Sequence, residues 1–327
     1  MKNISAVRYS ERGDPASVGA IRSIELREPQ QGEVLVRMLY APINPSDINT
    51  LEGTYGALRP LPDTPGNEGI GIVESVGPSV EVVSIGMHVL VGSMTWCEAG
   101  IWKAEDLIIL DKVLDPVQGA MIRINAPSAY CMLKSFHSFQ SGEWVAQNAS
   151  NSGVGRWVMA LAKRWNIPAI HLVRRGEVLE ELKSQGYEHV ILDDEHAVES
   201  AKKISGSTKF PLALNAVGGE SAGRLTKMLG FSGQLITYGA MSRQAFRVSN
   251  GALIFKDISY RGFWVHKYVG RMTVDAQAAM YAELMELSNS GAVKIPVDEI
   301  FPLAKFADAI QAAMKSGRSG KIVLKLS

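Results

Sequence analysis

The chain has 327 residues, 46% of them hydrophobic and 20% charged, with a formal net charge of +1. Such a composition is ordinary for a globular protein with room for two domains, and the near-neutral balance argues against nucleic acid or an anionic membrane as partner, since either usually needs a basic excess. Two cysteines, Cys97 and Cys131, offer no disulfide framework and favour a reducing compartment.

The opening MKNISAVRYSERGDP has no apolar signal core and is not Arg-rich in the manner of a transit peptide. No run of about 18 apolar residues follows, so no bilayer span is expected and a cytoplasmic location is. Up to about residue 110 the text is rich in strand-like runs: EVLVRMLYAPI (33–43), EGIGIVESVG (68–77), HVLVGSM (88–94) and EDLIIL (105–110). Gly and Pro clusters such as LRPLPDTPGNEG interrupt them, which predicts a mostly β, barrel-like domain. From about 120 strands and helix-compatible segments alternate. WVAQNA (144–149), AIHLVR (169–174), HVILD (189–193), LALNAV (212–217), QLITYG (234–239) and ISYRGFW (258–264) are the strand candidates. That βαβ spacing predicts a doubly wound parallel sheet. After 270, VDAQAAMYAELMELSNSG and FADAIQAAMKSG read as helices ended by glycine, and KIVLKL as a closing strand that returns to the barrel.

The segment QNASNSGVGRW (147–157) stands where the first βαβ unit turns from strand to helix. A dinucleotide loop needs backbone N–H groups at a helix N-terminus and little bulk where strand and helix approach. Ala149, Ser152, Gly153 and Gly155 supply the small residues. Taken alone, a loop this poor in glycine reads equally well as an ordinary turn; its place in the sheet favours the nucleotide. The second strand ends in HLVRRGE, so Arg174 and Arg175 stand where an NAD site usually carries an acid. Guanidinium groups suit a 2′-phosphate and point to NADP(H), although two arginines at a strand end also simply solvate it.

INPSDIN, GTYG, GNEG, INAPSAY, QNASNSGVG, LALNAVGG, YGAM and FKDISYRGFW occur in this order along nearly the whole chain. In that order they resemble the zinc-free 2-enoyl thioester reductases of the medium-chain dehydrogenase/reductase superfamily. The resemblance implies an α/β protein: a GroES-like β-barrel catalytic domain (1–119 and 266–327) plus a Rossmann doubly wound parallel-sheet cofactor domain (120–265). It also implies NADPH-dependent reduction of a trans-2-enoyl thioester carried on CoA or acyl carrier protein. Tyr55 in GTYG matches the family's catalytic tyrosine, whose phenol would stabilise an enolate or relay a proton. For the cofactor the matches are Asn125 near the nicotinamide, Asn151, Ser152, Gly153 and Val154 over the pyrophosphate, and Arg174 and Arg175 around the 2′-phosphate. Tyr238, Gly239, Ala240 and Met241 match a loop along the cofactor, Phe263, Trp264 and Val265 a segment bordering nicotinamide and substrate, and Lys321 a lysine that reaches the cofactor. Members of the family often read Arg-Asp-Arg where this chain has Arg174-Arg175-Gly176.

Zinc-dependent members place a Cys near the PSD segment and a His in a GHE turn; Pro45 or Ser46 and Asn67 stand there instead. With two cysteines in all, neither a catalytic nor a structural zinc site is expected. Asp47 in INPSDIN reads as a turn residue bonding backbone rather than a general base. Two other functions stay open: an NADPH:quinone oxidoreductase, and a non-enzymatic NADPH-binding sensor or RNA-binding moonlighter, for which the chain lacks a Lys/Arg run. The strand ISYRGFW, last in its sheet, suggests a homodimer paired edge to edge, by analogy with the superfamily.

Overall fold

A computed structural model describes residues 2–110, 113, 115–206 and 210–327. Its strands run, in chain order, β1 Lys2–Tyr9, β2 Gly19–Leu26, β3 Glu33–Pro42, β4 Gly69–Val76, β5 His88–Val91, β6 Ala99–Lys103 and β7 Ile108–Leu110. Then come β8 Val145–Gln147, β9 Ala169–Val173, β10 Val190–Leu192, β11 Phe210–Asn215, β12 Leu229–Thr237 and β13 Ser259–Gly262, and finally β14 Val297–Pro302 and β15 Lys321–Lys325.

The chain divides into two compact units. One comprises Met1–Ile124 with Ala282–Ser327, the other Asn125–Tyr281. These limits stand beside the boundaries at 119/120 and 265/266 proposed from the sequence.

In the first unit a seven-stranded sheet runs β14-β15-β3-β4-β5-β7, with β6 also paired to β3. Strand β3 is the axis of this sheet. Its residues alternate, with Val34, Val36 and Met38 fully buried and the residues between them half-buried, as the two-residue period of a strand requires. They meet Trp96, Ile322 and Leu324 in one apolar cluster. The closing strand returns as expected, since β15 pairs antiparallel with β3 at Ala41 and Leu324.

The second unit is a six-stranded sheet in the order β10-β9-β8-β11-β12-β13, every pairing parallel. Numbered from β8 this is the 3-2-1-4-5-6 order of a Rossmann sheet, which reverses direction between β8 and β11. All five residues of β9 are buried, as in strands covered by helices on both faces. Helix Gly153–Arg164 packs nine buried residues and ends in Lys163 and Arg164, which complement the negative C-terminal end of its dipole.

Candidate functional site

In open α/β sheets ligands bind outside the carboxyl ends of the strands, where the order reverses. Here that place holds the segments after β8 and β11. After β8 the chain turns through Ala149, whose φ of 47° lies in the left-handed region. It enters helix Gly153–Arg164 at Ser152, whose Oγ accepts from the Gly155 amide at 3.1 Å. Gly155 tolerates no side chain: a Cβ there would stand 2.5 Å from the Ser150 carbonyl oxygen and 2.6 Å from that of Ala149. The loop is also fastened from beneath. Gln147 Nε2 donates to the Gly155 carbonyl at 3.0 Å and lies 3.0 Å from His171 Nδ1. Burial, then the neighbouring His189, pushes His171 down to about 3, so its ring is neutral and serves packing.

A second set of polar residues fixes the β11 end, and the sequence reading passed over it. Asn148 Nδ2 donates to Asn215 Oδ1 (2.9 Å) and Ser221 Oγ (2.8 Å), while its Oδ1 accepts from the Ala216 amide at 2.7 Å. Asn215 Oδ1 also accepts from the amides of Val217 and Gly218. Ser221 donates to Asp193 Oδ2 at 2.5 Å, and Arg224 Nε to Asp193 Oδ1 at 2.6 Å. The ends of β8, β10 and β11 are thereby tied to the helix Gly219–Met228. The available signal was local: asparagines directly follow or end the apolar runs of β8 and β11.

The predicted cofactor residues of this unit fall on neighbouring strand ends. Asn151, Ser152, Gly153 and Val154 form the loop and first helical turn. Tyr238 follows β12, and its buried hydroxyl lies beside Ser152 without reaching a hydrogen-bond partner. Gly239, Ala240 and Met241 continue along the β11 loop: the Tyr238 and Met241 amides donate to the Asn215 and Ala216 carbonyls, and a Cβ on Gly239 would stand 2.9 Å from the Ala216 oxygen. Arg174, exposed, and Arg175, half-buried and 3.3 Å from Glu177, directly follow β9. Phe263, Trp264 and Val265 follow β13. Phe263 is buried against Tyr268 (ring centroids 4.7 Å) and Phe136, while Trp264 is 46% exposed. Asn125 is buried on the helix Ile122–Ser135. A helix N-terminus, a loop that admits no Cβ, an unpartnered buried phenol and two arginines beyond the neighbouring strand together fit a phosphorylated dinucleotide.

Tyr55 and Lys321 belong to the first unit. Helix Pro45–Glu52 begins with Asn44 as N-cap and Pro45 in its first turn; Asp47 Oδ2 closes a capping box by accepting from the Asn44 amide at 2.8 Å. Gly53 ends the helix at φ 84°, and the amides of Thr54 and Tyr55 both donate to the Asn49 carbonyl. The tyrosine thus sits three residues past a helix whose N-cap, Asn44, is buried. Asp47 Oδ1 accepts from the backbone and side-chain amides of Asn67, so the residue bonds the fold rather than a reactant. Lys321 donates its ammonium to Asn44 Oδ1. Glu68 Oε1 accepts from Asn44 Nδ2 at 2.6 Å, and its Oε2 from the Ile124 amide at 2.9 Å.

Burial raises Glu68 from its ordinary 4.5 to about 7 and Asp47 from 3.8 to about 6, against the opposing pull of Lys321 and their hydrogen bonds. Burial likewise pushes Lys321 down. Between pH 4.5 and about 7 the native state therefore holds more protons at Glu68 than the unfolded chain does, and stability from this group is lost as pH rises. The Tm of wild type minus that of Glu68→Gln is expected to shrink across that window in thermal melts; a difference that widens would contradict the raised value.

Comparison with known proteins places this geometry in a family. Residues 30–120 match the model of the alcohol dehydrogenase GroES-like domain, and residues 185–324 that of the zinc-binding dehydrogenases. The mitochondrial enoyl-[acyl-carrier-protein] reductase of Mus musculus is 36% identical over 331 residues, covering 99% of this chain and 89% of its own length. Its Caenorhabditis elegans counterpart is 38% identical, over 88% of this chain and 85% of that protein. Among solved structures, a mutant enoyl thioester reductase from Candida tropicalis superposes with a TM-score of 0.87 at 26% identity, over 99% of this chain and 100% of that one. The Etr1p complex with NADP and crotonyl-CoA does so with a TM-score of 0.87 at 27% identity and the same coverage. The chain belongs to the medium-chain dehydrogenase/reductase family, in its branch of enoyl thioester reductases.

The zinc in one of those family descriptions does not fit the donors found here. Beside the PSD segment and in the 66–68 turn stand Asn44, Asn67 and Glu68, with the Lys321 ammonium bonded among them. Neither thiolate nor imidazole is present in that set, and a fixed ammonium repels a dication. Among the described residues no group of three or more His, Cys, Asp or Glu could hold a metal ion.

Proposed function

We propose that the chain reduces the carbon–carbon double bond of trans-2-enoyl thioesters with NADPH, delivering hydride to Cβ and a proton to Cα. It is an NADPH-dependent oxidoreductase acting on CH–CH groups. The observation that carries this reading is the 36% identity to an enoyl-[acyl-carrier-protein] reductase over 99% of the chain; the solved relative with NADP and crotonyl-CoA supports cofactor and substrate class together. Bound NADPH supplies the hydride. Asn151, Ser152, Gly153 and Val154 would hold its pyrophosphate, Tyr238–Met241 its flank, and Arg174 and Arg175 the 2′-phosphate; Asn125, Phe263, Trp264, Val265 and Lys321 are assigned to the nicotinamide end through the family resemblance. As hydride reaches Cβ, negative charge grows on the thioester oxygen. The Tyr55 phenol would donate a hydrogen bond to that oxygen or relay the proton to Cα, help worth about 10²–10⁴ in rate.

The test is NADPH oxidation with crotonyl-CoA and a simple quinone assayed side by side. Fast enoyl-CoA turnover with little quinone activity is expected. Quinone activity alone would overturn the thioester reading. A quinone oxidoreductase from Pseudomonas syringae shares the fold with a TM-score of 0.85 at 22% identity, over 98% of this chain and 99% of that one, and that likeness speaks to the fold alone.

Truncating Arg174 or Arg175 to Ala is expected to raise the KM for NADPH roughly 10- to 100-fold, as loss of a charged hydrogen bond does, and to leave the KM for NADH within about twofold. Equal losses for both cofactors in steady-state kinetics would remove the arginines from the 2′-phosphate.

We also propose a homodimer joined along β13, the terminal strand of its sheet, whose outer edge carries no strand among the described residues. One solved relative is the Etr1p/Etr2p heterodimer of Candida tropicalis. Sedimentation at micromolar concentration is expected to return a dimer, and a monomer would refute it. Carrier protein as the natural acyl donor, and a cytoplasmic location, are further proposals. The relatives are named mitochondrial, and among the described residues no helix is long and apolar enough to cross a membrane; subcellular fractionation decides the compartment.

A further inference from the structure

Tyr55 lies on an exposed-side loop, yet the helix that delivers it is anchored in a buried polar cluster. The cluster centres on Asn44, whose amide N–H, side-chain NH₂ and side-chain oxygen each make a bond to another member. Its amide N–H goes to Asp47, its side-chain N–H to Glu68, and its side-chain oxygen accepts from Lys321. Asn44, Asp47 and Glu68 are 4%, 1% and 0% exposed. Glu68 is the hinge of this arrangement, because both of its oxygens accept and each from a different element: Asn44 at the head of helix Pro45–Glu52, and the Ile124 amide.

The far side of the tyrosine loop is held as well. Arg59 Nε donates to Asp63 at 2.8 Å and Nη2 to the Thr64 carbonyl at 3.0 Å. Its own carbonyl accepts from Arg12, whose side chain fills the space beside Gly53. Arg59 Nη1 also reaches Asn67 Oδ1 at 3.3 Å, and Asn67 is bonded to Asp47, so the two anchors are joined. Such a network has little reason to exist for stability alone. Buried charged networks commonly do no better than apolar packing of the same volume, whereas they do fix one geometry.

We propose that Glu68 is a positioning residue for Tyr55: by accepting from Asn44 and Ile124 at once it sets the pose of helix Pro45–Glu52, and through it the direction of the phenol. This inference rests on the catalytic role proposed for Tyr55 above. Above about pH 7, where the rates are measured, Glu68 is ionised and accepts at both oxygens; an amide at position 68 has one oxygen, and its NH₂ would face a donor. Glu68→Gln therefore tilts the helix head without changing side-chain volume.

The experiment is a double-mutant cycle. Single-turnover and steady-state rates with NADPH and crotonyl-CoA are measured for wild type, Glu68→Gln, Tyr55→Phe and the double variant. The expected results are a kcat loss of about 10- to 100-fold for Glu68→Gln, as for a misplaced catalytic group, an NADPH Kd within about twofold of wild type, and no further loss in the Tyr55→Phe background. Asn44→Ser serves as the second variant should Glu68→Gln fold poorly. Serine caps a helix as well as asparagine does but withdraws the amide from Glu68, and the same non-additivity is expected. If the losses multiply in both cycles, or if both variants keep full kcat while Tyr55→Phe loses it, Glu68 does not act through the tyrosine and the inference falls while the enoyl reductase reading stands. If Tyr55→Phe keeps full activity, the assigned chemistry of Tyr55 falls first, and the inference with it.

Discussion

Tyr55→Phe is expected to lower kcat with crotonyl-CoA by about 10²–10⁴-fold and to leave NADPH affinity within about twofold. The change removes one hydroxyl and none of the backbone bonds that shape the loop. The Tyr55 backbone amide still donates to the Asn49 carbonyl, Gly53 still ends the helix in its left-handed conformation, and Arg59 still holds the loop's return. Loss therefore reports on the hydrogen bond to the developing enolate or on the proton it relays, not on folding. Stopped-flow NADPH oxidation measures the rate, and fluorescence titration of NADPH measures the affinity. Enoyl-CoA turnover within a factor of two of wild type would mean that the tyrosine only packs.

Gly155→Ala is expected to do the reverse, raising the NADPH Kd at least tenfold while the first unit keeps its stability. The added Cβ meets two backbone carbonyls, at Ser150 and Ala149, at separations no ordinary contact permits. Backbone cannot rotate aside as a side chain can, so the loop must shift. Forcing an extra carbon into a packed site costs about 1–3 kcal/mol, and here the displaced backbone leads directly into Asn151–Val154, the residues assigned to the pyrophosphate. Gly223→Ala is the control: it lies inside the helix Gly219–Met228, with nothing within 4 Å of an added Cβ, and should bind NADPH as wild type does. Titration of both variants decides the matter. Equal affinity in the two would remove Gly155 from the cofactor loop.

The two substitutions also mark how far each unit could be read in advance. Strands β3, β4, β8, β9, β11 and β12 announce themselves as apolar runs because both or alternate faces are buried, and the 3-2-1-4-5-6 sheet follows from their spacing with helices between. β1, β2, β6 and β14 are absent from that reading. β14 exposes most of its residues and β2 buries none fully, so neither leaves an apolar signature; pairing with a neighbour makes them strands. Where the run 88–94 is expected as strand, only His88–Val91 pairs, three residues short of its predicted end.

What the chain's text settles by itself is chemical type and local conformation. Small residues in NASNSGVG before a helix, arginines after the next strand, a tyrosine between glycines and two cysteines in all are properties of neighbours in sequence, and local sterics and charge act over that range. The Asn44–Glu68–Lys321 cluster is of another kind. Its members are 24 and 277 positions from Asn44, and nothing near any one of them indicates the others. Lys321 alone reads as an exposed charge before an edge strand or as a cofactor ligand; only pairing of β15 with β3 carries its ammonium to Asn44. Likewise Asp193 meets Ser221 and Arg224 because the fold brings the end of β10 beside the helix after β11. A polar side chain drawn out of water must find a partner wherever the fold supplies one, so the identity of that partner is a property of the packed chain and not of the local sequence.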